Sequence, residues 1–179
     1  MIEKTRVLIA DDHEAIRKGV AAFLLHSGRF DVVAEASRGD ECVELAKQHR
    51  PDVIIMDIVM PGLDGVIVTK LVVTLLKDVR VIAHTGLDGV EHVLSMLNAG
   101  ATGYVRKDEG WAGLVRGIDT VMEGRVYVSS DVLGWDRQAE RASAARGARD
   151  PRKLTARQLE VLRLLAAGKK SREIGEALG

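Results

Sequence analysis

The sequence predicts an α/β fold, a five-stranded parallel sheet covered by helices on both faces, followed by a linker and a small all-α unit. Two observations carry this. Over residues 1–128, five short apolar runs alternate with five segments of helical periodicity, the pattern of β–α units whose strands are buried on both sides. After residue 128 the apolar content falls, and Arg, Ala and Ser dominate up to a second apolar-periodic stretch at residue 154.

The elements follow in order. Residues 6–10 (RVLIA) read as the first strand. Residues 14–27 place Ile16, Val20, Phe23 and Leu24 on one helical face, closed by Gly28. Residues 30–36 read as a strand. Residues 40–49 read as a helix with Val43, Leu45 and Ala46 inward, ending before Pro51. Residues 53–56 (VIIM) are the purest strand, and Pro61-Gly62 marks a loop. Residues 65–76 are expected to be a helix by alternation, although Val66, Ile67, Val68, Val72 and Val73 prefer strands. Residues 79–83 read as a strand, and 88–98 as a helix opened by an Asp88/Glu91 capping pair with Gly100 beyond its end. Residues 102–105 are the fifth strand and 111–122 the fifth helix, stopped by Gly124, with 126–128 as a short apolar coda. A linker is expected over 129–153, partly helical around 137–145. From Leu154, Thr155 and Gln158 form a capping box and Leu154/Leu159 a hydrophobic staple. The helix carries Leu159, Leu162, Leu165 and Ala166 to Gly168. Ser171 then caps a second helix with Ile174, Ala177 and Leu178, the start of a helix-turn-helix.

Composition narrows the function. The chain has 179 residues, 46% hydrophobic and 29% charged, an ordinary globular balance. The single Cys42 fits a reducing compartment. No signal peptide is visible, and no run approaches the roughly 20 apolar residues of a membrane helix, so a cytoplasmic protein is expected. Residues 1–128 hold 15 Lys+Arg against 19 Asp+Glu (−4), and residues 129–179 hold 11 against 7 (+4). A basic end on an acidic body hints at a nucleic-acid module. The six aromatic residues are too few for a base-stacking platform.

The polar residues are more telling. Asp11 and Asp12 follow strand one, Asp57 strand three, Thr85 strand four and Lys107 strand five. In a flavodoxin-like strand order of 2-1-3-4-5, strands one and three meet at the switch point, where such sheets bind ligands. Three converging carboxylates call for a cation, and hard oxygen donors suit Mg2+. A lysine and a hydroxyl alongside suit phosphate oxygens. The cluster therefore reads as a magnesium-assisted phosphoryl site with Asp57 as acceptor.

The residues also carry a resemblance. Ala10-Asp11-Asp12-His13 with Arg17 and Gly19, Met56-Asp57 with Met60-Pro61-Gly62-Leu63-Asp64-Gly65, His84-Thr85-Gly86, and 100–107 (GATGYVRK) resemble a two-component response regulator. The end of the chain, Leu154-Thr155 with 159–162 (LEVL), Gly168, Ile174 and Leu178-Gly179, resembles the LuxR-type output domain of the NarL/FixJ subclass. The resemblance implies a receiver domain at 1–128, a linker at 129–153 and the first two helices of a LuxR-type domain at 154–179, with the recognition helix absent. It further implies that a sensor histidine kinase phosphorylates Asp57. Asp11, Asp12, Asp57 and the Val59 carbonyl would hold Mg2+. Lys107 would pair with the phosphoryl group, Thr85 would bond to it, and Tyr104 would turn inward on activation. Partners implied are the kinase, promoter DNA once the output domain is complete, and a second copy in a phosphorylation-dependent homodimer, with no membrane.

Apart from slow self-dephosphorylation, no enzyme is expected. Val59 and Leu87, two residues beyond acceptor and threonine, are apolar and are expected to gate the hydrolytic water. His84 stands where the family usually has an apolar residue and reads as a core or satisfied histidine in preference to a second phosphoacceptor. His13 fits an exposed first-turn position. Tyr104 read by itself is a half-exposed strand aromatic, and Asp12 read by itself is a helix cap. Two rival functions remain: a signalling adaptor without DNA binding, and a magnesium-dependent aspartyl phosphatase. The latter would want a D-x-D pair, and Asp57 is followed by Ile58 and Val59.

Overall fold

The computed structural model describes residues 4–87 and 89–129. The linker from residue 130, the 154–179 helices and Asp88 lie outside the described residues. The strands are β1 (Thr5–Ala10), β2 (Phe30–Ala36), β3 (Val53–Met56), β4 (Arg80–Thr85), β5 (Gly103–Arg106) and β6 (Tyr127–Val128). The helices are α1 (Glu14–His26), α2 (Gly39–His49), α3 (Gly65–Leu75), α4 (Val90–Asn98) and α5 (Gly110–Met122). All strands pair in parallel, in the order β2-β1-β3-β4-β5-β6. The expected 2-1-3-4-5 order is present. The apolar coda forms β6, an addition at the β5 edge, because Tyr127 N–H reaches the Thr102 carbonyl and Ser129 N–H the Tyr104 carbonyl.

Period-two alternation splits the interior into two cores. Leu8, Ala10, Ile54, Met56, Val81, Ala83 and Tyr104 face α2, α3 and α4. Val7, Ile9, Val53, Ile55, Ile82 and Val105 face α1 and α5. By the same alternation, Thr85 points to the first face and His84 to the second.

Helix α3 forms in spite of its β-branched residues. Asp64 caps it, its carboxylate accepting the Ile67 N–H at 2.8 Å. Val68, Thr69 and Val72, at helical spacing, are completely buried. Tertiary burial and a cap outweigh intrinsic preference, which spans only ~1 kcal/mol per residue. The helix keeps Ile67, Leu71 and Leu75 exposed on its outer side.

Helix α4 begins later than expected. Its N-cap is Gly89, at φ 116°, with no side-chain cap; of the expected Asp88/Glu91 pair, Asp88 lies outside the described residues. The cap of α1 is likewise His13 and not Asp12. Among the described residues no helix is long and apolar enough to cross a membrane.

Two glycines allow the loops at the carboxyl edge to close up. A Cβ at Gly39 would lie 1.9 Å from the Leu63 carbonyl oxygen, and one at Gly65 would lie 2.2 Å from the Asp57 carbonyl oxygen. The Gly65 N–H donates to the Ile58 carbonyl at 2.8 Å, so the start of α3 is sewn onto the backbone leaving β3.

Candidate functional site

Register places the site. Ala10, Met56 and Ala83 form one row across β1, β3 and β4, and Thr85 pairs with Arg106. Asp11 and Asp57 therefore emerge side by side, with Thr85 and Lys107 slightly beyond them. Backbone bonds from Asp57 N–H to the Ala10 carbonyl (2.8 Å) and from Asp11 N–H to the Ala36 carbonyl (3.1 Å) fix both positions.

Asp11 and Asp57 are 2% and 5% exposed. Lys107 bridges them: its Nζ lies 2.7 Å from Asp11 Oδ2 and 2.5 Å from Asp57 Oδ2. Burial pushes the Lys107 ammonium toward a lower pKa, but the two carboxylates prevail and hold it above its ordinary 10.5. The other oxygens are also committed. Asp57 Oδ1 accepts the Ile58 N–H (2.7 Å), and Asp11 Oδ1 accepts the His13 N–H (2.9 Å). Arg17 clamps the Asp11 carbonyl oxygen at 2.6 Å. Asp12 is more open, and its Oδ1 lies 2.8 Å from His13 Nδ1. His13 is exposed, as expected.

One ligand atom each from Asp11, Asp12, His13 and Asp57 falls within 4.8 Å of the others. A dication fits this donor set: buried carboxylates at such range require positive charge between them, and their oxygens are hard donors. Beside it opens a cleft of about 270 Å³, lined by His13, Ile16, Asp57, Val59, Thr85, Gly86, Leu87 and Lys107. Asp57, Thr85, Lys107, Val59 and Leu87 thus share one cleft, with Asp11 and Asp12 at its acidic end. Val59 is 60% exposed, so its side chain stands at the mouth.

Tyr104 differs from the half-exposed strand aromatic read from sequence. It is fully buried, and its hydroxyl donates to the Leu87 carbonyl at 3.0 Å. The Leu87 N–H donates to Thr85 Oγ1 at 3.3 Å. Both expected switch residues therefore bond to the backbone of Leu87, one on each side of its Cα, with the ring already inward. Sequence reasoning missed this link, since nothing in residue type marks a backbone group as a shared partner.

His84 is in the core, 3% exposed, but is not satisfied: its Nε2 has no hydrogen-bond partner. Burial, aided by the Lys107 charge and opposed by Asp11, lowers its pKa to about 4. An unfolded histidine titrates near 6.5. Between these values the unfolded chain binds the extra proton, so stability falls as pH drops from 6.5 toward 4. At pH 5 the loss from this residue is about 2 kcal/mol. His84→Leu should remove it, giving a smaller fall in the denaturation midpoint between pH 7 and pH 5 than the native chain shows. Equal falls in both proteins would disprove the assignment.

Comparison with known proteins agrees with this geometry. The profile of the response regulator receiver domain matches residues 7–119, and that of bacterial regulatory proteins of the luxR family matches residues 152–179. The chain is 40% identical over 173 residues to the transcriptional regulatory protein LiaR of Bacillus subtilis, covering 97% of this chain and 82% of that one. A two-component response regulator of the LuxR family from Aurantimonas sp. superposes with a TM-score of 0.71 at 30% identity, over 78% of this chain and 99% of that one. A CheX–CheY–BeF3–Mg2+ complex from Borrelia burgdorferi superposes with a TM-score of 0.62 at 28% identity, over 66% and 89%.

Proposed function

Because the chain belongs to the response regulators of the NarL/FixJ subfamily, transcriptional regulators that join a receiver domain to a LuxR-type DNA-binding domain, we propose that Asp57 is its phosphoacceptor and a histidine kinase its donor. The observation that carries this is the Lys107 bridge between two buried carboxylates beside an open cleft. The same reading makes residues 1–128 the receiver, 129–153 the linker and 154–179 part of the output domain, which takes the signal to promoter DNA. The chain acts as a phosphoacceptor, and water slowly hydrolyses its acyl phosphate to the free carboxylate and inorganic phosphate.

Asp11, Asp12, Asp57 and the Val59 carbonyl would hold Mg2+, which supplies charge neutralisation at the transferring phosphoryl group. An Asp57 carboxylate oxygen bonds to phosphorus as the bond to the donor's imidazole nitrogen breaks. That nitrogen keeps the electron pair and takes a proton. Lys107 then exchanges its carboxylate partner for a phosphoryl oxygen. Thr85, whose hydroxyl holds the Leu87 N–H, turns to another, and Tyr104 follows because its own hydroxyl bonds to the carbonyl of Leu87. A new dianion drawing an ammonium and a hydroxyl toward it is a local electrostatic event with a wider readout. Exposed Leu25 on α1, with Trp111 and Met122 on α5, favours these helices as the face of a phosphorylation-dependent homodimer.

Intact-mass measurement after incubation with acetyl phosphate and magnesium tests the acceptor. One phosphoryl mass is expected on the native chain and none on Asp57→Asn; a gain that persists in the variant refutes the assignment. Sedimentation of the same samples reads the dimer, and an unchanged mass distribution over a wide concentration range argues against it. Following the decay of the mass gain reads the gate. Val59 and Leu87 line the cleft and cannot orient water, so slow loss is expected, with faster loss in Val59→Asn and Leu87→Glu. Equal rates would show that these side chains do not control the water.

A further inference from the structure

Lys107 opens a three-residue 3-10 turn, Lys107–Glu109, between β5 and α5. One residue, Ser129, holds the backbone just before the turn and the side chain of the turn's last residue. On the near side, the Arg106 N–H donates to Ser129 Oγ at 3.0 Å. On the far side, the Ser129 hydroxyl donates to Glu109 Oε2. Ser129 is itself 1% exposed and fixed to β5 through its own N–H on the Tyr104 carbonyl, 2.9 Å.

Glu109 is the hub of this link. Its Oε1 accepts the Tyr127 hydroxyl at 2.6 Å and Arg116 Nη2 at 3.0 Å. Burial works against the charged carboxylate, but the Ser129, Tyr127 and Arg116 donors outweigh it and keep its pKa below the ordinary 4.5. Helix α5 leaves room for the arrangement: a Cβ at Gly113 would lie 2.5 Å from Glu109 Cγ. Charge-assisted hydrogen bonds of this kind are stronger than neutral ones, and none of these groups lines the cleft.

We propose that Glu109 and Ser129 are positioning residues for Lys107, clasping the turn from both sides so that its ammonium reaches the acceptor carboxylate. The inference rests on the reading of Asp57 as phosphoacceptor. A lysine that must meet a developing phosphoryl charge gains from a fixed backbone, since a misplacement of about 1 Å costs up to ~100-fold. Any change in how Ser129 is held is felt at Lys107, and the coupling is reciprocal.

The test uses the full chain, acetyl phosphate and magnesium, with the phosphorylation rate at saturating donor as the readout. Ser129→Ala and Glu109→Ala are each expected to slow the reaction about tenfold, within the penalty for a misplaced group. Glu109→Gln, whose amide oxygen can still accept the Tyr127 hydroxyl while its NH2 donates to Ser129 Oγ and the Ser129 hydroxyl turns to the Tyr104 carbonyl at 3.3 Å, should restore most of the rate. Magnesium affinity, measured by calorimetry without donor, should not fall in any of the three, because neither Glu109 nor Ser129 belongs to the acidic cluster. In a Lys107→Ala background, Glu109→Ala should add nothing, because the path it acts through is gone. Native rates in Ser129→Ala and Glu109→Ala would overturn the proposal. So would a tenfold loss that survives in the Lys107→Ala background, which would mark general loosening. Should Glu109→Ala fail to fold, Ser129→Ala in both backgrounds decides alone. Asp57→Asn in the same assay separates the two readings: if it still gains mass, the acceptor is wrong. If it does not and the clasp variants react at the native rate, only the clasp is wrong.

Discussion

Gly65→Ala is expected to destabilise the receiver by roughly 3 kcal/mol, the upper range for overpacking, although alanine is the better helix former by up to ~1 kcal/mol. The two effects oppose each other, and geometry decides. The added methyl would sit 2.2 Å from the Asp57 carbonyl oxygen and 2.8 Å from Ile58 Cα. Both are backbone atoms of the segment that carries the acceptor, and no side-chain rotation relieves either contact. The start of α3 must therefore move away from β3, breaking the bond from Gly65 N–H to the Ile58 carbonyl. The displacement also reaches Asp57 Oδ1 through the Ile58 N–H that it accepts. Urea denaturation of the variant should show a lower midpoint, together with slower phosphorylation. A variant as stable as the native chain, or more so, would mean that the loop yields freely and helix propensity prevails.

Lys107→Met should destabilise the chain by about 3 kcal/mol at neutral pH in the absence of divalent metal, as expected when one partner of a buried ion pair is removed. Methionine fills similar space, so the loss is electrostatic and not a cavity effect. It leaves Asp11 and Asp57, both almost fully buried, facing each other with no ammonium between them. Magnesium, which replaces the lost charge, should restore much of the stability. In the native chain the bridge already supplies a counter-charge, so its response to magnesium should be smaller. Denaturation of both proteins with and without magnesium reads these effects. A variant of native stability that ignores magnesium would show that solvent, and not Lys107, relieves the carboxylates.

Much of this was legible because it depends on chain order and residue type. Five apolar runs separated by helical segments imply the parallel sheet, and parallel order brings residues after strands one, three, four and five to one edge. Asp11, Asp57, Thr85 and Lys107 could be placed together without coordinates for that reason. What escaped depends on contacts between segments distant in sequence. Strand β6 has only two residues and exists because Thr102 and Tyr104 offer carbonyls at the sheet edge. Ser129 was expected to begin the linker, yet its side chain is buried against β5 and Glu109. The opening of α4 was expected at an Asp88/Glu91 pair, of which Asp88 lies outside the described residues, and the helix starts at Val90 behind Gly89, whose φ of 116° no residue spacing marks. Tyr104 was placed half outside because alternation fixes which face a strand residue takes and not how deeply a neighbouring loop covers it.

The composition of α3 matters most before the helix has formed. Residues 66–76 (VIVTKLVVTLL) contain one charge, no proline and mostly β-branched or leucine side chains. In an unfolded chain such a segment is a template for intermolecular strand pairing. Only completed packing on the sheet, where Val68 and Val72 are buried, commits it to the helix. Parallel sheets assemble from contacts distant in sequence and form slowly, so the segment remains exposed for much of folding. Self-association therefore competes with native docking until that packing is complete, and Lys70 is the lone charge within the run that opposes it.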